Sequence, residues 1–124
     1  KMKNLHSIES HVVCHFDPGS GHHYKDIGNV KFEIIKAIGK DNVINIGKFP
    51  IDGISNKHDA PLSDKVKYIS SAAMVIGIDD GIAHLAETTN SRNIIIKMPN
   101  HEYIYKMYPP QAEIIDVGNI FDVI

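Results

Sequence analysis

The sequence predicts an α/β domain in which a parallel sheet is covered by helices on both faces. Short apolar runs that end at Gly, Pro or Asp alternate along the chain with segments whose apolar residues recur at helical spacing. This alternation is typical of a parallel sheet, because each helix returns the chain to the edge where the next strand begins. The 124 residues suffice for one such domain and are too few for two, so we expect residues 1–124 to form a single domain.

The first strand and the first helix are predicted from an apolar run and a helical repeat. Residues 12–16 form an apolar run that is closed by residues 17–21, whose sequence DPGSG marks a loop. In residues 30–38 the apolar side chains recur at helical spacing, with Asn29 placed to act as N-cap and Gly39 placed to end the helix. We therefore expect a strand, a loop and an amphipathic helix in that order.

A second strand, a long loop and a second helix are predicted next. The strand covers residues 42–46, and the loop covers residues 47–61, which are punctuated by Gly and Pro. A loop of this length is usually functional or mobile. Ser63 can cap a helix that extends to residue 73, and Asp64 suits the positive end of the helix dipole. The apolar residues 74–78 then predict a buried strand.

The last third of the chain repeats the pattern of strand and helix. Residues 79–81, with the sequence DDG, form a tight turn into a helix over residues 82–89. Strands are predicted over residues 93–96 and 114–117, with a short helix over residues 101–108 between them. Every strand is thus followed by a turn or helix that returns the chain to the starting edge of the sheet.

Composition and charge exclude several classes of function. The net charge is −2 with His neutral, which leaves no basic surface of the kind that nucleic-acid binding requires. No run approaches the roughly 18 apolar residues of a membrane span, and no signal-like segment follows Lys1. Cys14, the only cysteine, lies within an apolar strand and is expected to be a buried side chain and not a nucleophile. We expect a soluble, cytoplasmic protein, and Lys1 in place of Met is compatible with a piece of a longer chain.

The carboxyl ends of the strands are the expected ligand site. Ligands of open parallel sheets bind at that edge where the strand order reverses, and the loops after the first three predicted strands should meet there. The helix start at Gly81 would offer unpaired N–H groups and a partial positive charge, so a diphosphate could bind there without a basic side chain. The alternative is that Asp79 and Asp80 only cap this helix and that His84 packs in the core.

Residues 76–86, IGIDDGIAHLA, resemble the D-S-G-x-x-H-L-A motif of heptosyltransferases and of the wider glycosyltransferase family 9. The match covers Asp79, Gly81, His84 and the Leu85-Ala86 pair. In that family the loop and helix start of this motif hold the diphosphate of a nucleotide-sugar donor. The resemblance implies a Rossmann-like fold that corresponds to the carboxy-terminal, donor-binding half of a two-domain GT-B glycosyltransferase.

A second segment is similar to the same family. The sequence HFDPGS at residues 15–20, followed by Tyr24-Lys25-Asp26, resembles the family's h-P-G-s loop and the lysine before the next helix. The resemblance implies that Lys25 contacts the donor phosphates, whereas the residues alone indicate a solvated loop lysine. The donor-binding residues predicted from the resemblance and the helix start are Gly19, Ser20, Gly21, Lys25, Asp79, Asp80, Gly81, Ile82, Ala83 and His84.

Three departures from the family pattern bear on function. Asp80 stands where the family usually has Ser, which would weaken anion binding or require a bridging divalent cation, although we expect no cofactor. No Trp-Pro pair follows Lys25, because the chain has no Trp. The family's acceptor site and usual catalytic carboxylate lie in an amino-terminal domain that this chain cannot contain. We therefore expect binding of a nucleotide-sugar or nucleotide diphosphate, with sugar transfer only if such a domain or a partner chain completes the site.

Other functions are compatible with the same sequence. The main alternative is a standalone, non-catalytic module that binds a nucleotide derivative or a protein partner. A homodimer is a further option, because twofold pairing is the commonest oligomer. The His22-His23 pair shows none of the recurring zinc spacings, so we expect no metal. Tyr103, Tyr105 and Tyr108 form an aromatic cluster that we expect to serve packing, with a base- or sugar-stacking wall as the alternative.

Overall fold

A computed structural model describes residues 11–99 and 102–124, with the backbone alone for positions 102 and 103. Its centre is a six-stranded sheet in which each strand is parallel to its neighbours. The strands are Val12–His15 (β1), Val43–Asn45 (β2), Ser55–Asn56 (β3), Met74–Ile78 (β4), Arg92–Lys97 (β5) and Glu113–Asp116 (β6). The prediction of an α/β fold with a Rossmann-like parallel sheet is confirmed.

Helices join the strands and cover both faces of the sheet. The α-helices of the described residues are Val30–Ile38 (α1), Leu62–Ser71 (α2) and Gly81–Ala86 (α3). The 3₁₀ segments are His23–Lys25, Lys40–Asn42, Glu102–Met107 and Val117–Asp122. None of the helices in the described part of the chain is long and apolar enough to cross a membrane.

The strand order places a reversal of chain direction at the middle of the sheet. The order is β3-β2-β1-β4-β5-β6, so the chain moves outward from β1 to β3 and then returns to β4, beside β1, before moving outward to β6. The connections that leave β1 and β4 therefore run in opposite directions. In open α/β sheets this arrangement opens a crevice at the carboxyl ends of the two central strands.

The alternation of side chains along the central strands builds a separate core on each face. On one face Cys14 and Ile76 pack with α1 and with Ile120 from the last 3₁₀ segment. On the other face Val13 and Val75 pack with α2 and α3. All five residues of β4 are buried, which explains its continuous apolar sequence MVIGI.

The first helix agrees with its predicted bounds, but its cap does not act as expected. Helix α1 covers residues 30–38 as predicted, and Gly39 ends it with a φ of 106°. Asn29 occupies the N-cap position, yet its side chain makes no capping hydrogen bond. The stability of α1 therefore depends on the burial of its apolar face, formed by Ile34, Ile35 and Ile38.

The second helix begins two residues earlier than a cap at Ser63 predicts. Pro61 occupies the N-cap position of α2, so Ser63 lies inside the first turn and does not cap. Proline suits this boundary because it has no N–H group that would need a partner. Ser63 was therefore the wrong cap, although a helix in this segment was correctly predicted.

The later elements differ from prediction mainly in length and type. Helix α3 ends at Ala86 and not at residue 89, because the hydroxyls of Thr88 and Thr89 donate to carbonyls of the last turn. The short helix predicted over residues 101–108 is a 3₁₀ segment, Glu102–Met107, and position 101 lies outside the described residues.

The segment predicted as a long loop contains the short strand β3 and is held against the sheet. Asn45, buried at the end of β2, accepts the Gly47 N–H at 2.9 Å and donates to the Phe49 carbonyl at 2.7 Å. The same amide donates to Asn56 Oδ1 at 2.9 Å, and Asn56 donates to the Ile51 carbonyl at 2.9 Å. These hydrogen bonds satisfy the buried Asn45 amide and the half-buried Asn56 amide and fix the backbone that follows β2.

Candidate functional site

A cleft of about 650 Å³ lies at the carboxyl edge of β1, β2 and β4, where the strand order reverses. The loops that follow these three strands meet at this edge together with the first turn of α2. The residues that line the cleft are Asp17, Gly19, Ile46, Gly47, Lys48, Leu62, Lys65, Asp80, Gly81, Ile82 and Leu85. The three loops that the sequence placed at this edge are thus brought together.

The walls of the cleft are mainly apolar and carry charged groups at a few points. Ile46 after β2, Leu62 from α2, and Ile82 and Leu85 from α3 supply the aliphatic side chains of these walls. Leu62 is 67% exposed, which is unusual for a large aliphatic side chain. An apolar cleft with a few convergent polar groups is the usual form of a small-molecule site.

Asp80 ties α3 to the centre of the sheet. Its Oδ1 accepts the Ala83 N–H at 3.0 Å and so caps the helix, while its Oδ2 lies 3.0 Å from His15 Nδ1. Burial alone would raise the pKa of the Asp80 carboxyl, but His15 and the N–H groups of Ala83 and Ile82 outweigh it, so the pKa lies below its usual value. Asp80 is therefore a charged cap on the cleft wall.

His15 reaches Asp80 by lying across the neighbouring strand. His15 and Gly77 are opposite each other in the register of β1 and β4, and the ring occupies the space that a side chain at Gly77 would need. The ring is fully buried, and its Nε2 has no hydrogen-bond partner among the described residues. The position of the imidazole therefore leaves room only for a glycine at position 77.

Asp79, the other carboxylate of the turn, is the centre of a separate cluster. Lys25 Nζ lies 3.0 Å from Asp79 Oδ2 and donates at 3.0 Å to the Asp79 carbonyl. The Tyr108 hydroxyl donates to Asp79 Oδ1, and His84 Nε2 lies 3.6 Å from the same oxygen. We call Lys25, Asp79, His84 and Tyr108 the Asp79 cluster.

Tyr108 shapes the Asp79 cluster through packing as well as through its hydroxyl. The Tyr108 and His84 rings are stacked, with centroids 4.3 Å apart and planes 6° apart. Burial and then the hydrogen bond to the Asp79 carboxylate raise the pKa of Tyr108 well above its usual value. Tyr108 is therefore a neutral donor, which indicates a structural role in agreement with the packing predicted for this tyrosine, whereas the predicted role of the Tyr103 side chain lies outside the described residues.

The predicted donor-binding residues divide between these two places. Gly19, Asp80, Gly81 and Ile82 line the cleft, whereas Lys25, Asp79 and His84 form the Asp79 cluster. Ala83 is buried and donates its N–H group to Asp80. Ser20 and Gly21 are exposed on the loop after β1 and do not line the cleft.

Sequence reasoning missed four residues that matter at this edge. His15 carries a signal, because it is a polar residue at the carboxyl end of a buried strand, but the HFDPGS segment that contains it assigns it no role. Lys48 follows β2 closely and was hidden within the long loop. Lys65 gave no signal, because a lysine on a helix is usually solvated. Tyr108 was noticed, but its contact with Asp79 spans 29 positions of sequence.

The alternative chemistries find no support in the geometry of the described residues. Cys14 is fully buried, and burial raises the pKa of its thiol, so the reactive thiolate is disfavoured. No group of three or more His, Cys, Asp or Glu side chains within residues 11–99 and 102–124 is arranged to hold a metal ion. The cleft is therefore the strongest candidate for a functional site.

No protein-family model, curated protein or solved structure matches the chain.

Proposed function

We propose that this chain binds a nucleotide diphosphate derivative, in particular a nucleotide-sugar, in the cleft at the carboxyl edge of β1, β2 and β4. The observation that carries the proposal is the position of the cleft, because the reversal point of an open parallel sheet is where nucleotide ligands bind. Its volume of about 650 Å³ is also within the range of small-ligand sites, about 300–1,000 Å³.

The walls of the cleft match the parts of such a ligand. The aliphatic side chains of Leu62, Ile82 and Leu85 offer apolar surface on which a base can pack. Gly19 and Gly81 let the ligand approach the backbone, and a Cβ at Gly81 would meet open space. A ligand with one planar apolar part and one anionic part is therefore favoured.

According to this proposal, the chain is the donor-binding half of a protein similar to family 9 glycosyltransferases. Its residues bind and orient the nucleotide, and the acceptor site and catalytic carboxylate come from another domain or a partner chain. The chain alone then binds the donor without transferring the sugar.

A non-catalytic module is the second candidate, and a specific observation favours it. The family resemblance implies that Lys25 and position 80 lie at the phosphates. In this chain Lys25 is instead paired with Asp79, and Asp80 is bound to His15 and to the Ala83 N–H. A domain that had lost transfer activity would be free to use these groups for internal stability. Such a module would bind a different nucleotide derivative or a protein.

Calorimetry and thermal shift with ADP, UDP, GDP and one sugar derivative of each test the proposal. Gly81→Val places a branched side chain in the cleft, and Gly118→Val is the matched control, since a Cβ at either glycine meets open space. Saturable binding that Gly81→Val removes and Gly118→Val preserves is the expected result. Absence of binding by every nucleotide in the panel would contradict the proposal and leave the non-catalytic module.

A further inference from the structure

Both sources of positive charge that the sequence offered for the phosphates are already occupied within the protein. The Lys25 side chain is only 13% exposed, and its ammonium group is paired with the Asp79 carboxylate. The N–H groups of Ile82 and Ala83 at the start of α3 are engaged by the Asp80 carboxylate. A phosphate at either place would have to displace a bound carboxylate, so a different anion contact is needed.

Lys48 and Lys65 provide that contact from two separate elements. Lys48 follows the end of β2, and Lys65 lies in the first half of α2; both line the cleft. Neither lysine has an ion-pair partner among the described residues. The Lys48 ammonium group lies 5.6 Å from the centroid of the Phe49 ring, a contact that leaves its charge uncompensated.

The carboxylates of the cleft do not cancel these two charges, because one of the carboxylates is already paired with another lysine. Asp17 Oδ1 lies 3.1 Å from Lys31 Nζ, and Asp80 Oδ2 lies 3.0 Å from His15 Nδ1. Because Lys31 compensates Asp17, Lys48 and Lys65 outnumber Asp80, the remaining carboxylate of the lining, and leave an excess of positive charge in the cleft. The low-dielectric aliphatic walls strengthen the attraction of that charge for an anion.

The backbone positions of the two lysines are fixed. The Gly47 N–H that precedes Lys48 is bound to the buried Asn45 amide, and the Lys65 N–H donates to the Pro61 carbonyl at 3.0 Å in the first turn of α2. Only the side chains have to be ordered when an anion binds, which limits the entropic cost of the site.

We propose that Lys48 and Lys65 form the anion subsite of the cleft and hold the diphosphate of the ligand, in place of Lys25. The inference rests on the proposed use of the cleft as a nucleotide site and adds the position and chemistry of the phosphate contact. The nucleoside then packs on the aliphatic walls beside the subsite. The ligand class is a diphosphate ester, and a neutral nucleoside gains nothing from the two lysines.

The experiment measures the affinities of inorganic pyrophosphate, UDP and uridine by calorimetry for the wild-type chain and for Lys48→Gln and Lys65→Gln. The matched controls are Lys57→Gln, directly after β3, and Lys67→Gln on the same helix as Lys65, both exposed lysines that do not line the cleft. Each cleft variant should weaken pyrophosphate and UDP about tenfold, since a charged hydrogen bond contributes at least that factor. The controls should bind as the wild type does, and uridine should show no dependence on either lysine.

The outcomes separate this inference from the proposed function. UDP binding that is indifferent to Lys48→Gln and Lys65→Gln but is abolished by Lys25→Ala would overturn the inference and leave the proposed function standing. Pyrophosphate binding that depends on both lysines, with no added affinity for UDP or any other nucleotide, would support the anion subsite and contradict the proposed function. Absence of pyrophosphate binding would overturn the subsite.

Discussion

Replacement of Gly77 by Ala should be one of the most damaging single-methyl changes in the chain. The added Cβ would lie 2.5 Å from two carbons of the His15 ring and closer still to the His15 carbonyl oxygen. That oxygen belongs to the backbone of β1, which pairs with both β2 and β4, so it cannot move without disturbing two strand pairs. Overpacking in a core costs about 1–3 kcal/mol, and this site should lie at or above the upper limit, at about 3 kcal/mol.

Urea unfolding followed by circular dichroism measures this effect on the free energy of unfolding. Gly118→Ala is the matched control, because a Cβ there meets nothing within 4 Å. We expect the control to change the free energy of unfolding by less than about 0.5 kcal/mol, as surface substitutions usually do. Equal stability of the two variants would refute the packing of His15 against Gly77 and, with it, the route by which His15 reaches Asp80.

Three further predictions follow from the same contacts. Asn45→Ala removes three hydrogen bonds from a buried amide and should cost about 3 kcal/mol in urea unfolding, whereas the exposed Asn90→Ala should cost almost nothing. The pKa of Asp80 is lower in the folded chain than in the unfolded chain, so its negative charge stabilises the fold at pH values above the unfolded pKa of about 4. This stabilisation is lost as the pH falls through the folded pKa. The stability difference between wild type and Asp80→Asn should therefore be largest above about pH 5 and shrink below about pH 4, and a constant difference in acid titration would contradict this. Cys14 should react with a thiol reagent only as fast as the chain unfolds, and rapid labelling of the folded protein would show that the thiol is accessible.

The strands and helices of the central sheet were predictable because each carries a local signal. The strand β4 is a continuous apolar run, and α1 has apolar side chains at helical spacing and a terminal Gly39. The short strand β3 was missed because Ser55 and Asn56 carry no apolar pattern. That strand depends on pairing with β2 and on the Asn45–Asn56 contact, which no local window of sequence contains.

The place of the candidate site was predictable, but the partners of its charged groups were not. The rule that ligands bind at the carboxyl edge identified three loops that do meet there, because it depends only on the order of elements. The roles of Asp79 and Asp80 depend on which basic side chain each carboxylate meets, and the partners lie 54 and 65 positions away in sequence. The alternative expectation for this turn was that Asp80 caps the helix. The hydrogen bond that the Asp80 carboxylate accepts from the Ala83 N–H agrees with it.

An NMR titration of the ¹⁵N-labelled chain with the nucleotide panel tests the central claim most directly, since it reports both binding and its location. The proposal predicts saturable shifts of the backbone amides of Gly19, Gly47, Gly81 and Leu85, which line the cleft. Saturable shifts confined to the opposite edge of the sheet, near Ser91 before β5, or no saturable shifts with any nucleotide, would contradict it.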